Sequence, residues 1–412
     1  MPPFFSIVLP TKNRSHIIGA ALRCVFNQTF TDFEVIVVDN SDDDSTVQVV
    51  KGFDDARLRY IRTGGLSMPD NWEAGVREAR GEYLTILEDK QLLYARALAT
   101  IYRAVEKERP LSVNWYVDAI NNTNGSACVY SNLFGKLTPE TEYFTSQELI
   151  TRFMATGHYG VLYLLPKGFN SCTHRSLVDR ILNGPGGRFC PPVSPDYTTA
   201  FVQLAYADRV LRINEALSAI AWAGGNGISL TMKDEKGRMM RFIKEVGAER
   251  ISDRVPVRSP MIINSIIYND YINLRDQLGG HLTDVPFDAA QYFVVCFDEI
   301  IRRELMGVDM SEEEALWRHA LEQQPTAVQA SVRHAIKPHI RQRAEHRRAV
   351  FMQKTGMKRV IGKVQQITGL SAAALAAANS VPTFPDVLAA VDWEARGEYR
   401  GVFAQHNLDT SG

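Results

Sequence analysis

The chain has 412 residues, a length that predicts two or three domains and that suffices to bury a sizeable core. Its 46 Lys and Arg residues balance 47 Asp and Glu residues, so the composition does not predict binding to nucleic acid. A hydrophobic content of 45% and a charged content of 23% exclude a mostly disordered chain.

Five scattered cysteines, with no C-x-x-C pair, predict neither a zinc site nor a disulfide framework. The N-terminus has no basic leader, and no segment approaches the ~20 apolar residues of a membrane span. These features predict a protein of a reducing compartment, located in the cytoplasm.

Short β-rich runs alternate with helical stretches over the N-terminal quarter of the chain. The predicted strands are Phe4–Leu9, Phe33–Val38, Leu58–Arg62 and Tyr83–Leu87. The predicted helices are Ile17–Phe26, with Ser15 as N-cap, and then Ser45–Phe53, Pro69–Ala79 and Tyr94–Glu108. This alternation predicts an α/β fold with a parallel sheet, whose ligands bind beyond the carboxyl ends of the strands.

The pattern changes further along the chain. The turn cluster Asn121–Gly125 lies between two strand-like runs and predicts a hairpin. Apolar residues at helical spacing predict a mainly helical segment from residue 231 onwards. The glycine-rich stretch 224–227 before it is predicted to be a mobile loop. We therefore expect two domains, 1–230 and 231–412.

Three motifs accompany the predicted strands. The first strand continues through Ile7-Val8-Leu9 into Pro10-Thr11-Lys12-Asn13-Arg14, the second ends in Val37-Val38-Asp39, and Gly81-Glu82-Tyr83 opens the fourth. In this order and at these separations the motifs resemble glycosyltransferase family 2, the inverting nucleotide-sugar transferases of GT-A fold. Weaker support downstream comes from Leu165-Pro166-Lys167-Gly168 and Ser194-Pro195-Asp196-Tyr197, so the resemblance covers about residues 4–230.

The resemblance implies a GT-A domain with a mostly parallel sheet flanked by helices, followed by a helical C-terminal domain. Its implied activity is transfer of a sugar from a nucleotide-sugar donor, a UDP-sugar above all, to a hydroxyl on a glycan or lipid-linked acceptor. Bacterial-type surface glycan synthesis is the implied setting. The oligomeric state is not predicted.

The resemblance also implies donor-binding roles for residues of the first two loops. Pro10, Thr11, Asn13 and Arg14 would line the nucleotide-sugar pocket, with Arg14 facing the phosphates or supporting the loop. Asp39 would accept hydrogen bonds from the base or the ribose. The alternative for Asp39 is that it caps the turn that follows.

Asp196 stands where the family places the carboxylate that deprotonates the acceptor hydroxyl. An inverting transfer needs one general base on the side of the sugar opposite the leaving diphosphate. The alternative is that Asp196 caps a helix beginning near Tyr197, although Ser194 is equally able to do so.

The sequence departs from the family after the fourth strand. The family's Asp-x-Asp reads Glu88-Asp89-Lys90 here, with lysine at the position of the metal ligand. A lysine cannot bind Mg²⁺ or Mn²⁺, but its ammonium can neutralise a departing diphosphate. Three hypotheses remain open: Lys90 replaces the metal and no cofactor is needed; Mg²⁺ or Mn²⁺ binds Asp89 together with Glu88; or the domain is catalytically silent and serves as a nucleotide-sugar-binding or scaffold subunit.

Two further alternatives concern the class of protein and its location. A nucleotidyltransferase would need a glycine-rich loop after the first strand, but no glycine precedes Gly19. The basic segment 333–363 carries ten Lys and Arg residues and a single acid, Glu345. It predicts either peripheral contact with the inner face of the membrane or a helix face that pairs with acids elsewhere in the chain.

Overall fold

The computed structural model describes residues 2–123, 126–130, 140–221, 236–246, 251–354 and 383–384. The strands are β1 (Phe5–Thr11), β2 (Phe33–Asp39), β3 (Leu58–Arg62), β4 (Tyr83–Ile86), β5 (Gln91–Leu93), β6 (Ser112–Thr123), β7 (Ser126–Tyr130), β8 (Thr141–Thr145), β9 (Ser171–His174), β10 (Arg209–Ala221) and β11 (Thr383–Phe384). The helices are α1 (Ser15–Phe26), α2 (Ser45–Val50), α3 (Met68–Glu78), α4 (Ala97–Val105), α5 (Ser146–Gly160), α6 (Arg175–Leu182), α7 (Pro195–Tyr206), α8 (Lys236–Glu245), α9 (Ile263–Leu278), α10 (Ala289–Leu305), α11 (Ser311–Glu322), α12 (Thr326–Ala335) and α13 (Lys337–Lys354).

A mixed sheet organises the fold, and its parallel part contains the order β4-β1-β2-β3. Strand β9 runs antiparallel to both β4 and β6, whereas β10 runs parallel to β6 and antiparallel to β5 and β8. Every residue of β1 and β2 is buried, as expected for central strands covered by helices on both faces. The predicted α/β fold is confirmed.

Alternating side chains of β1 enter different hydrophobic clusters because successive residues of a strand point to opposite faces. Ile7 and Leu9 pack with α1 and α4, while Val8 packs in a cluster that extends to Tyr268 of α9 and Ile300 of α10. The two predicted domains therefore share one hydrophobic cluster. The predicted boundary near residue 230 and the glycine-rich stretch 224–227 lie outside the described residues.

The first helix differs from its prediction at its N-terminus. Ser15 is not the N-cap: the carbonyl of Arg14 accepts hydrogen bonds from the backbone N–H groups of Ile17 and Ile18, so Arg14 takes the cap position. No side chain makes the capping hydrogen bond. The loop that precedes the helix is fixed by contacts of its own, described below.

The predicted hairpin is present as β6 and β7, which pair antiparallel with Thr123 opposite Ser126. The two residues between them lie outside the described part of the chain.

Helix α13 carries much of the basic segment, and two of its arginines pair with acids of neighbouring helices. Arg343 lies 2.7 Å from carboxylate oxygens of both Glu304 and Glu314. Arg347 lies 2.7 Å from Glu304. Within the described ranges, no helix combines the length and apolarity needed to cross a membrane.

Candidate active site

A cavity of about 330 Å³ lies at the carboxyl ends of β1 and β4, where ligands of α/β sheets bind. The loops after these strands, together with two residues from the second half of the domain, form its polar wall. Those residues are Pro10, Thr11, Lys12, Arg14, Glu88, Asp89, Lys90, Lys167 and Asp196. Seven of the nine predicted site residues are thereby brought together: Pro10, Thr11, Arg14, Glu88, Asp89, Lys90 and Asp196.

Asn13 and Asp39 are the two predicted site residues that do not line the cavity. The Asn13 side chain donates to Asp42 at 2.7 Å, and its backbone N–H donates to Ser41 Oγ at 2.8 Å. These contacts tie the loop after β1 to the loop after β2. They also hold Asn13 at a φ of 57°, a left-handed conformation that asparagine tolerates better than most residues.

Asp39 is fully buried, and both of its carboxylate oxygens accept hydrogen bonds from the protein. Oδ1 accepts from the backbone N–H of Ser41 at 2.9 Å, which is the turn-capping contact considered above. Oδ2 accepts from the Tyr60 hydroxyl at 2.7 Å and lies 3.4 Å from Arg62. The structure thus gives Asp39 a local role, while its predicted contact with the base or ribose stays a prediction.

Asp89 connects the two loops of the polar wall. Its Oδ2 accepts from Thr11 Oγ1 at 2.9 Å, and its Oδ1 accepts from Arg14 at 3.0 Å. Burial raises the pKa of the Asp89 carboxyl, while the Arg14 guanidinium and the Thr11 hydroxyl oppose that rise. Arg14 therefore supports the loop through Asp89, which is one of the two roles considered for it.

The donor set of this loop does not fit a divalent cation. Asp89 already binds a guanidinium, and Lys90 Nζ lies 3.4 Å from the carboxylate of Glu88. Two cationic side chains therefore stand beside the oxygens that a metal would need. Among the residues that the structure describes, no group of three or more His, Cys, Asp or Glu side chains is placed to hold a metal ion.

Asp196 lies in the first turn of α7 and faces the cavity. The helix begins at Pro195 with Ser194 in the N-cap position, so Asp196 is not the cap residue. A residue of another helix fixes the segment before α7. Asp270 of α9 accepts hydrogen bonds from the backbone N–H groups of Val193 at 3.2 Å and Ser194 at 3.1 Å. Burial raises the pKa of the Asp196 carboxyl, and Lys167 is the main group that opposes the rise.

Lys167 received no role from the sequence, although it belongs to the Leu165-Pro166-Lys167-Gly168 motif. It is 1% exposed, and its Nζ lies 3.8 Å from the centre of the Tyr197 ring. Burial lowers the pKa of Lys167 to about 8, and Asp196 and Glu88 oppose that fall. The only signal in the sequence was a single lysine within an otherwise apolar stretch, a pattern that also fits a surface lysine.

His158 also lines the cavity, at the end of α5. Its Nδ1 lies 3.2 Å from the Tyr197 hydroxyl. Burial lowers the pKa of His158 to about 3, so the imidazole is neutral at physiological pH. A neutral His158 supports Tyr197 and is not a cation for the donor.

The remaining wall of the cavity is apolar and comes mostly from helices beyond the predicted domain boundary. Its larger side chains are Trp72, Leu162, Met239, Phe242, Val246, Ile263, Ile266 and Ile267. One rim contact joins the two walls, because Lys12 Nζ lies 3.5 Å from Glu245 of α8.

Part of the chain is similar in sequence to known proteins. Residues 6–177 match the family described as Glycosyl transferase family 2. A β-1,3-glucosyltransferase of Campylobacter jejuni, named for GalNAc(5)-diNAcBac-PP-undecaprenol, is 34% identical over 24% of this chain and 33% of its own length. The poly(ribitol-phosphate) β-N-acetylglucosaminyltransferase TarP of Staphylococcus aureus is 31% identical over 24% of this chain and 31% of its own length.

The matches thus span about a third of the length of these curated relatives. Among solved structures, the S. aureus TarS fragment in complex with UDP-GlcNAc superposes with a TM-score of 0.45 at 17% identity, over 81% of this chain and 92% of that one.

The family resemblance that the motifs implied is confirmed over residues 6–177. The mostly parallel sheet flanked by helices that the motifs implied is confirmed, and the matched segment is a glycosyltransferase domain.

Proposed function

We propose that the chain is an inverting glycosyltransferase that moves a sugar from a nucleotide-sugar donor, of the UDP-sugar class, to a hydroxyl acceptor without using a metal ion. One observation carries the proposal: a carboxylate suited to act as a base, Asp196, and a lysine at the family's metal-ligand position, Lys90, face the same cavity. That cavity lies at the edge of the sheet where the family signature converges.

Asp196 acts as the general base in this proposal. Its carboxylate takes the proton of the acceptor hydroxyl while the hydroxyl oxygen bonds to the anomeric carbon of the donor. The bond from that carbon to the diphosphate oxygen breaks, and the nucleoside diphosphate leaves with the electron pair. Attack opposite the leaving group inverts the anomeric configuration.

Lys90 stabilises the leaving diphosphate. Negative charge grows on the diphosphate in the transition state, and a fixed cation close to it lowers the barrier. In the structure Glu88 holds the ammonium at 3.4 Å, on a loop that Thr11 and Arg14 fix through Asp89. The Lys90 ammonium is thereby oriented before the donor arrives.

The apolar wall supports an acceptor with an apolar portion, such as a lipid-linked glycan. Met239, Phe242 and Ile266 face the cavity that contains Asp196, and a free polysaccharide offers little surface to pack against them. We propose surface glycan synthesis in the cytoplasm, with peripheral approach to the inner face of the membrane. Arg343 and Arg347 of α13 already pair with Glu304, so these two arginines do not add support for contact with the membrane.

The test is a panel of nucleotide sugars, each supplied with a lipid-linked and with a water-soluble glycan acceptor. We expect release of the nucleoside diphosphate with the lipid-linked acceptor and a product of inverted anomeric configuration by NMR. A product of retained configuration contradicts the single-base mechanism. Equal rates with both acceptors contradict the role of the apolar wall.

The silent-domain alternative is favoured by a specific observation. Neither Asp of the family's motif is present, and the carboxylate of Asp89, which stands between those two positions, already accepts hydrogen bonds from Thr11 and Arg14. A donor that binds but is never turned over, with any acceptor and with or without metal, would support this alternative.

A further inference from the structure

Lys167 is a buried cation that has no role in the mechanism proposed above. Its side chain is 1% exposed. Among the described residues, no carboxylate lies within the 4.0 Å that defines an ion pair with its ammonium. Burying a lysine without a partner costs free energy, so a residue of this kind is expected to serve the site it faces.

Aromatic side chains fix the direction of the Lys167 ammonium. It lies 3.8 Å from the centre of the Tyr197 ring and 5.4 Å from that of Phe169. A cation over an aromatic face is attracted by the ring quadrupole, which partly replaces the lost hydration. Because Tyr197 directly follows Asp196 in α7, this contact places the ammonium beside the first turn of that helix.

We propose that Lys167 is a positioning residue that keeps Asp196 ionised, and thereby ready to act as a base, at neutral pH. This inference rests on the proposed function, because it assigns a partner to the proposed base. Lys167 acts through Asp196 and needs no contact with the donor or the acceptor.

The groups around Asp196 show why it needs such a partner. Glu88 lies on the loop after β4, and Asp270 lies on α9. The negative charge of either carboxylate favours protonation of the Asp196 carboxyl. Burial acts in the same direction. The N–H groups at the start of α7 oppose it, and His158, on α5, is neutral and contributes no charge. Lys167 is the cation that opposes the rise most strongly.

The experiment titrates the Asp196 carboxyl directly in protein labelled with ¹³C at aspartate carboxyl carbons, with Asp196→Asn to assign the signal. We expect the Lys167→Met variant to titrate Asp196 at a pH higher than the wild type by about one unit or more, the size of shift that a nearby opposite charge produces. Lys167→Arg keeps the charge and should keep most of the wild-type behaviour. An unchanged titration in Lys167→Met overturns the proposal.

The titration of the wild-type protein provides a second test, which does not depend on how the variants fold. Since the pKa of Lys167 is about 8, loss of its charge should produce a second, smaller step in the Asp196 carbon shift near that pH. A wild-type titration with no such step contradicts the coupling.

Two further measurements separate this role from its rivals. Calorimetry with UDP should show affinity unchanged within about twofold in Lys167→Met, because the residue is not a donor ligand in this proposal. Lost UDP binding with unaltered Asp196 titration overturns it in favour of a donor-binding lysine. Neither the titration nor the calorimetry requires turnover, so these measurements distinguish failure of the Lys167 proposal from failure of the proposed glycosyl transfer.

Where turnover is found, the acid limb of the pH profile of kcat/KM should move upward in Lys167→Met by the amount seen in the titration. Lys90→Met is the comparison, because Lys90 faces the same cavity and is not among the groups that shift the pKa of Asp196. It should lose rate at every pH and leave the acid limb in place. An acid limb that stays in place in Lys167→Met contradicts the proposal.

Discussion

Charged residues at the cavity and beside it differ in what their side chains already bind. In Asp39 and in Asp89, both carboxylate oxygens accept hydrogen bonds from the protein, and Arg14 is the donor to one oxygen of Asp89. Within the part of the chain that the structure describes, neither Asp196 nor Lys167 forms an ion pair, yet both line the cavity. Asp39, Asp89 and Arg14 therefore hold loops in place, whereas the Asp196 carboxylate is left available to a substrate.

Asp196→Asn tests the proposed base. Asparagine keeps the size and most of the hydrogen bonding of the side chain but cannot take a proton, so turnover should fall by ~10²–10⁴. Donor affinity, measured by calorimetry, should stay within about threefold because the base acts on the acceptor. Asp179→Asn on the exposed face of α6 is the control and should retain activity. A parallel loss of thermal stability and activity in Asp196→Asn points instead to a structural role.

Asp39→Ala tests the predicted contact with the base or ribose. We expect UDP binding to weaken by roughly 1–3 kcal/mol, the cost of losing a hydrogen bond to a charged group. Asp55→Ala is the matched control, since Asp55 also pairs with an arginine, Arg57, but precedes β3 and so lies at the edge of the sheet opposite to Asp39. If UDP binds the Asp39→Ala protein as tightly as the wild type, the residue serves only the turn that Ser41 and Tyr60 share with it.

Lys90→Ala tests the cation at the diphosphate. Loss of a preorganised charge that acts in the transition state should lower kcat by about 10²–10³-fold with little change in donor affinity. Lys90→Asp restores the ligand type of the family and should be inactive without metal but regain some turnover with Mn²⁺. Loss of donor affinity with kcat unchanged would show that Lys90 binds the donor equally in the ground state and the transition state, and would contradict this role.

At the scale of elements, sequence periodicity predicted the strands around the site well and the side-chain partners poorly. Strand β3 has its predicted bounds, and β1 and β2 extend one or two residues beyond theirs. Their continuous apolar runs identify them because both faces are buried. Ser41, two residues after Asp39, is a local partner that the sequence offered as a turn contact. The other partners of Asp39 and Asp89, Tyr60 and Thr11, lie 21 and 78 positions away, and no local pattern encodes them.

The start of α9 depends on one acid from α10. Glu299 accepts hydrogen bonds from the backbone N–H groups of Ile263 at 2.7 Å and Asn264 at 3.0 Å. Glu299→Ala leaves these buried donors unpaired and should lower the free energy of unfolding by about 3 kcal/mol. Glu322→Ala, at an exposed position of α11, is the control and should change it by less than about 0.5 kcal/mol. Chemical denaturation measures both, and equal stabilities would refute this capping role.

Burial raises the pKa of Glu299 to about 7, from 4.5 for an ordinary glutamate. The folded protein therefore holds this proton more tightly than the unfolded chain, and the Glu299 contribution to stability falls as pH rises from 4.5 to about 7. The stability difference between wild type and Glu299→Ala should accordingly shrink over that range. A difference that grows with pH contradicts the assignment.

At the scale of the whole molecule, the helical segment contributes directly to the site. Helices α8 and α9 supply much of the apolar wall opposite the sheet loops, and α9 and α10 share the hydrophobic cluster of Val8. The sequence predicted these helices from their spacing but gave no role to them, since periodicity identifies a buried face without identifying what it packs against. The cavity therefore belongs to both predicted domains.

The most direct measurement is release of nucleoside diphosphate from a panel of nucleotide sugars by the wild-type protein, in EDTA and again with Mg²⁺ or Mn²⁺. Since Lys90 stands at the metal-ligand position and Asp89 is bound to Arg14, we expect turnover to survive EDTA and to change little when metal is added. Turnover that is abolished by EDTA and restored by Mg²⁺ or Mn²⁺ contradicts the metal-free mechanism and makes Asp89 the expected ligand.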